Sequence, residues 1–167
     1  MFQVERMNRV IEIMENVKRH KKTKPFDMSR WIGKIYNDDY EFCGTSCCIM
    51  GYAALDPQLQ KEGLHLDVYV VSAIDNGEMK TITSQASFNR MLKKTDADIE
   101  PTVTYDDAEG FHAAKAFFGI SSRCSDWLFG ATYYKPDTPE EPTIDEAIKR
   151  LKAVRDDNGR MPRWSRK

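Results

Sequence analysis

A chain of 167 residues with a formal net charge of −1, 41% apolar and 31% charged residues has the make-up of a single soluble domain that can bury a core without disulfides. The balanced charge excludes a global pull toward nucleic acid or an anionic membrane, and no apolar run approaches the roughly 18 residues of a membrane span. The opening Met1-Phe2-Gln3-Val4-Glu5-Arg6 lacks the basic-then-apolar layout of an export signal, so a reducing cytoplasm is expected, where cysteines are buried, catalytic or metal-bound.

Residues 2–20 carry Met7, Val10, Ile11, Met14 and Val17 at helical spacing, with Glu5, Arg6, Glu12, Glu15 and Lys18 on the wetter side, which predicts an amphipathic helix. It runs into a basic stretch, residues 18–24, before Pro25. Cations there either complement the helix dipole or offer a patch to a polyanion or acidic partner. Residues 26–32 fit a short helix capped by Asp27 or a short strand, with Met28 and Trp31 packing under the cysteine-rich stretch beyond them.

That stretch, Glu41-Phe42-Cys43-Gly44-Thr45-Ser46-Cys47-Cys48-Ile49-Met50-Gly51-Tyr52-Ala53-Ala54-Leu55, holds three of the four cysteines. A turn at Gly44, a cap at Thr45 or Ser46 and a buried helix up to Asp56-Pro57 are expected. A hydroxyl just ahead of an apolar run accepts an orphan amide of the first turn, and Pro57 disfavours helix at Asp56. A short helix after Asp56 would close at Gly63.

From Leu64 the texture changes. Residues 64–74 and 78–83 flank Asp75-Asn76-Gly77, and Asn-Gly between β-branched flanks predicts a β-hairpin. Residues 84–94 look helical and residues 95–105 loop-like. A helix from Asp106 or Asp107 should bury Phe111, Ala114, Phe117 and Phe118 and end at Gly119. Ser121 or Ser122 caps a short helix with Cys124, Trp127, Leu128 and Phe129. Thr143 and Glu146 fit a capping box opening a helix that buries Ile144, Ala147, Ile148, Leu151 and Val154. One domain over residues 1–159 and a basic tail over residues 160–167 complete the chain.

The pattern of Met28 and Trp31, then Cys43-Gly44-Thr45, Cys48, Gly51 and Ala53, resembles an uncharacterised family of small phage and bacterial proteins. Its members carry Met-x-x-Trp before Cys-Gly-Thr-x-x-Cys-x-x-Gly-x-Ala. Residues 113–120, 127–129 and 143–154 are similar to its later helices. The resemblance implies a phage or phage-related setting and transfers no catalytic residue. Locally, residues 43–50 are also similar to the nucleophile region of bacteriocin-processing, papain-like cysteine peptidases, whose catalytic His opens a strand, as His65 would. Here the His comes far sooner after the Cys than in those enzymes, and no oxyanion-hole Gln precedes Cys43.

Three roles remain open for Cys43: a packing or turn residue, a nucleophile, or a metal or disulfide partner. As a nucleophile it would draw on a helix N-terminus and a nearby base. His65 is the best-placed imidazole, with Asp67 or Asp75 to orient it; Asp67 shares its face two residues along a strand. Zinc would need Cys43, Cys47, Cys124 and a His brought together, and there is no Cys-x-x-Cys pair, so neither metal nor cofactor is expected. As a binding site, Gly44, Thr45 and Ser46 at a helix start, with Trp31 nearby, would suit a carboxylate or phosphate. The expectation is therefore an α+β fold, mostly helical, built around a buried cysteine-rich helix with one β-hairpin. It would be a phage-type accessory protein binding a host protein or a small anionic ligand, with no membrane or nucleic-acid partner. The alternative is a cysteine hydrolase using Cys43, His65 and Asp67.

Overall fold

The computed structural model describes residues 1–20, 26, 28, 32–36, 42–71, 98–130 and 143–162, the backbone alone at 32–36, 42–47, 68–71 and 98–101. The fold is α+β and mostly helical, with six helices and five strands among the described residues. The apolar stripe of the first helix forms α1 (Val4–Arg19), which turns Met7, Val10, Ile11, Met14 and Val17 inward. It packs along the last helix, α6 (Ile144–Asp156), whose Ala147, Ile148, Leu151 and Val154 are buried. Thr143 caps α6, its Oγ1 accepting the Glu146 amide at 3.2 Å. The Glu146 carboxylate turns forward, accepting from Arg150 Nε at 3.3 Å, so only half of the expected reciprocal box forms.

Between α1 and the main sheet sits α2 (Ile49–Ala54), in which every residue but Tyr52 is buried. Its small residues let neighbouring elements approach closely, and it touches α1, α3 (Pro57–Lys61) and three strands. Asp56 starts α3, its Oδ1 accepting the amides of Gln58 and Leu59 at 3.1 and 3.2 Å. Gly63 then takes a left-handed φ of +95°, the expected stop.

Strand β3 (His65–Val71) pairs antiparallel with β4 (Asp98–Tyr105), from His65 opposite Thr104 to Val71 opposite Asp98. The loop expected over residues 95–105 is strand from Asp98: Pro101 argues against one, but Ile99, Thr102, Val103, Thr104 and Tyr105 favour it, and β3 supplies the pairing partner. A tight turn at Asp106-Asp107 returns the chain as β5 (Ala108–Glu109), the third strand of this sheet. The expected hairpin turn and second arm, with Asp75, and the expected helix at 84–94 lie outside the described residues.

Helix α4 (Gly110–Phe118) starts later than Asp106 or Asp107. Ala113, Ala114, Phe117 and Phe118 are buried, whereas Phe111 is 39% exposed, contrary to its expected place on the inner face. Gly119 ends α4 in the left-handed region, φ +64°, and Ser121 caps α5 (Ser122–Phe129), its Oγ accepting the Cys124 amide at 3.2 Å. Against α5 lies a buried cation: Arg150 donates from Nη1 to the Trp127 carbonyl at 2.9 Å and stacks over the Trp127 ring. Met28, Ile49, Phe117 and Trp127 all join the core, as expected, while Trp31 lies outside the described residues. Met161 is also a core residue and Pro162 is buried, so the chain beyond Arg160 begins by docking rather than as a free tail.

Candidate functional site

The cysteine stretch does not begin a helix at Thr45 or Ser46. Residues Phe42–Cys47 form β2, paired antiparallel with β1 (Ile32–Tyr36) in a two-stranded ribbon. Gly44, Thr45 and Ser46 stand opposite Ile35, Lys34 and Gly33. Their backbone is therefore strand, not an amide cradle at a helix start. The N-cap of α2 is Cys48, whose Sγ accepts the Gly51 amide at 3.4 Å. A hydroxyl is the better acceptor. Pairing of the preceding residues with β1 nevertheless pushes the helix start past Thr45 and Ser46.

Cys43 occupies an irregular point in the ribbon. Ile35 faces Gly44 and Tyr36 faces Phe42, so the register shifts at Cys43 and leaves it without a partner across the ribbon. An extra residue of this kind bends a strand locally. Some 16 Å of extended chain separates Cys43 from the cap of α2, at about 3.3 Å per residue. The dipole of a helix end fades within its first turn, so Cys43 does not hold the helix-start position expected of a nucleophile.

His65 and Asp67 do share a face of β3, on either side of the buried Leu66. The His65 Nδ1 is buried and has no hydrogen-bond partner among the described residues. Asp67 therefore does not orient the imidazole through that nitrogen. Cys43 belongs to the β1–β2 ribbon and His65 to the β3–β4–β5 sheet, with no strand pairing between the two. Of the other imidazoles, His112 is exposed on α4, and His20 sits exposed beside the Asn16 carbonyl, 2.9 Å from its Nδ1.

The remaining described cysteines are structural. Cys48 and Cys124 are buried thiols outside any disulfide. Burial pushes the Cys124 thiol up to about 12, which suppresses the thiolate at neutral pH. Among the described residues no cluster of three or more His, Cys, Asp or Glu side chains is placed to hold a metal ion, and no helix is long and apolar enough to cross a membrane.

A feature with no counterpart in the sequence motifs is a cleft of about 560 Å³ where the α4–α5 junction meets the turn after α6 and the first two residues of the chain. Arg123 and Arg160 both line it. Its walls come from three segments far apart in sequence, so no local motif signals it. No protein-family model, curated protein or solved structure matches this chain, and its chemistry has to be read from these residues alone.

Proposed function

We propose that this chain is a small accessory protein of phage type that acts by binding, its partner a host protein or a small anionic ligand and its setting the host cytoplasm. The observation that carries this reading is the position of Cys43. It stands in a strand at a register shift, beyond reach of the α2 dipole. A nucleophilic thiol needs either such a dipole or an adjacent base, and the strands of Cys43 and His65 do not pair among the described residues.

A second reading, a cysteine hydrolase built on Cys43, His65 and Asp67, is favoured by one observation. The buried Nδ1 of His65 has no hydrogen-bond partner among the described residues, which leaves it open to a proton transfer. Iodoacetamide labelling at about pH 6.5, roughly two units below a free thiol's pKa, separates the two. In the binding reading, Cys43 of the native protein labels no faster than a free thiol does at that pH, and His65→Ala leaves the rate unchanged. Fast labelling that His65→Ala slows would promote the hydrolase.

A further inference from the structure

We infer that the cleft between the α4–α5 junction and the turn after α6 is a binding site for a small organic anion, a phosphate or carboxylate head carrying an apolar group. The head is argued from charge. Arg123 and Arg160 both line the cleft, both are exposed, and neither is paired with a carboxylate among the described residues. The nearby acids do not line it: Asp126, Asp156 and Asp157 stand outside, and Asp156 is held by Arg155 at 2.8 Å. Two cationic residues lining one cleft favour an anion there. Their planar forks match the oxygens of a phosphate or carboxylate.

The apolar group is argued from the rest of the lining. Phe2, Ile120 and Met161 stand in the same wall, and Phe2 packs against the core that contains the other two. A volume of about 560 Å³ suits a small molecule. The Ser121 hydroxyl, whose oxygen already accepts the Cys124 amide, can still donate its hydrogen to a head group.

The walls are formed before any ligand arrives. Ile120 donates its amide to the Lys115 carbonyl at 3.2 Å, and Gly159 donates to Val154 at 2.8 Å. The Gln3 amide ties the N-terminal segment to the Phe118 carbonyl at 2.9 Å. Little backbone remains to be ordered on binding, and preorganisation of this kind preserves affinity. Only the two arginine side chains need to settle.

This site deepens the small-anion arm of the binding reading and rests on it, though it lies away from Gly44, Thr45 and Ser46. The test is a titration of the protein with phenyl phosphate, inorganic phosphate and phenol, monitored through the amide resonances of Gly119 and Gly159, which line the cleft. Phenyl phosphate should shift both saturably, with a Kd on the order of a millimolar or below. Inorganic phosphate should bind more weakly and phenol more weakly still. In the R123Q/R160Q double variant the phenyl phosphate affinity should fall at least about tenfold, or 1.4 kcal/mol. Both arginines are exposed, so the thermal midpoint should stay put. No saturable shift by about 20 mM, an unchanged affinity in the double variant, or phenol binding as tightly as phenyl phosphate would each overturn the site. Cys43 labelling answers separately: an inert Cys43 with an empty cleft removes this site alone, whereas a reactive, His65-dependent Cys43 removes the binding reading whatever the cleft does.

Discussion

Arg9 on α1 closes onto Asp56, Nη2 to Oδ2 at 2.8 Å and Nε to Oδ1 at 3.3 Å. The same carboxylate caps α3 through the amides of Gln58 and Leu59. One side chain, 8% exposed, thereby both starts a helix and pins it to the longest helix described. Burial alone would raise the Asp56 pKa. The Arg9 hydrogen bond and charge and the Leu59 and Gln58 amides outweigh burial and hold it below its ordinary 3.8.

Asp56→Ala should therefore destabilise by roughly 2–3 kcal/mol. A lost cap accounts for about 1 kcal/mol, and a charge-assisted bond to a partly exposed guanidinium for somewhat more. Asp56→Asn keeps a capping oxygen and should cost about half as much. The pKa is lowered on folding, so the carboxylate's contribution is present above the unfolded value near 4 and is lost as pH falls through the folded value. In urea melts, the gap between wild type and Asp56→Asn should hold from pH 7 to about 5 and narrow below about 4. A constant gap down to pH 2.5 would contradict this account.

The N-terminal dipeptide is seated on two glycines. A Cβ at Gly119 would come within 2.8 Å of the Met1 carbonyl carbon, and one at Gly159 within 2.6 Å of the Phe2 ring. Gly159 also has φ +81°, a conformation that costs an L-residue about 1–2 kcal/mol. Gly159→Ala should thus cost more than about 2 kcal/mol in the wild-type background. With Phe2→Ala already in place the ring clash is gone and only the Phe2 Cβ remains, 3.0 Å away, so the further cost should fall toward the backbone strain of about 1–2 kcal/mol. Simple additivity in this double-mutant cycle would mean that Phe2 does not pack there.

His65→Phe removes a buried nitrogen without a partner among the described residues at a strand position that aromatic residues favour. Denaturant melts should show stability unchanged or raised by up to about 1 kcal/mol. A loss above about 1 kcal/mol would show that the imidazole makes a bond in solution that the fold needs.

The Cys124 thiol, pushed up to about 12 by burial, should resist alkylation at pH 8, and so should the buried Cys48. Mass spectrometry after iodoacetamide treatment should find neither modified in the native protein and both modified in urea. Labelling of Cys124 without denaturant would mean that α5 opens locally.

Four helices are legible, each by its inner face or by one or both of its ends. The stripe from Met7 to Val17, the caps at Ser121 and Thr143, and the stops at Gly119 and Gly159 are signals within one or two turns of the elements they govern. Asp56-Pro57 and Gly63 bracket α3 in the same way. Each of these rests on a hydrogen bond or backbone angle that neighbouring residues can satisfy themselves.

The rest is decided at a distance. Gly44, Thr45 and Ser46 have the residue types of a turn and a cap, yet pairing with Gly33, Lys34 and Ile35 makes them strand and moves the α2 cap to Cys48. Residues 98–105 hold the β-favouring Ile99, Thr102, Val103, Thr104 and Tyr105, but Pro101 in their midst argues against a strand, and pairing with His65–Val71 makes them one. Phe111 fits a helical stripe, but the turn at Asp106-Asp107 and β5 delay the start of α4 and leave Phe111 outside. The cleft of Arg123 and Arg160 gathers three segments that share no local pattern. The sequence by itself determined which stretches bury an apolar face and where their helices stop, since those depend on bonds a few residues long. Strand pairing, the surroundings of Cys43 and His65, and the placing of two arginines beside one cavity depend on partners distant in the chain, and only the tertiary structure supplies them.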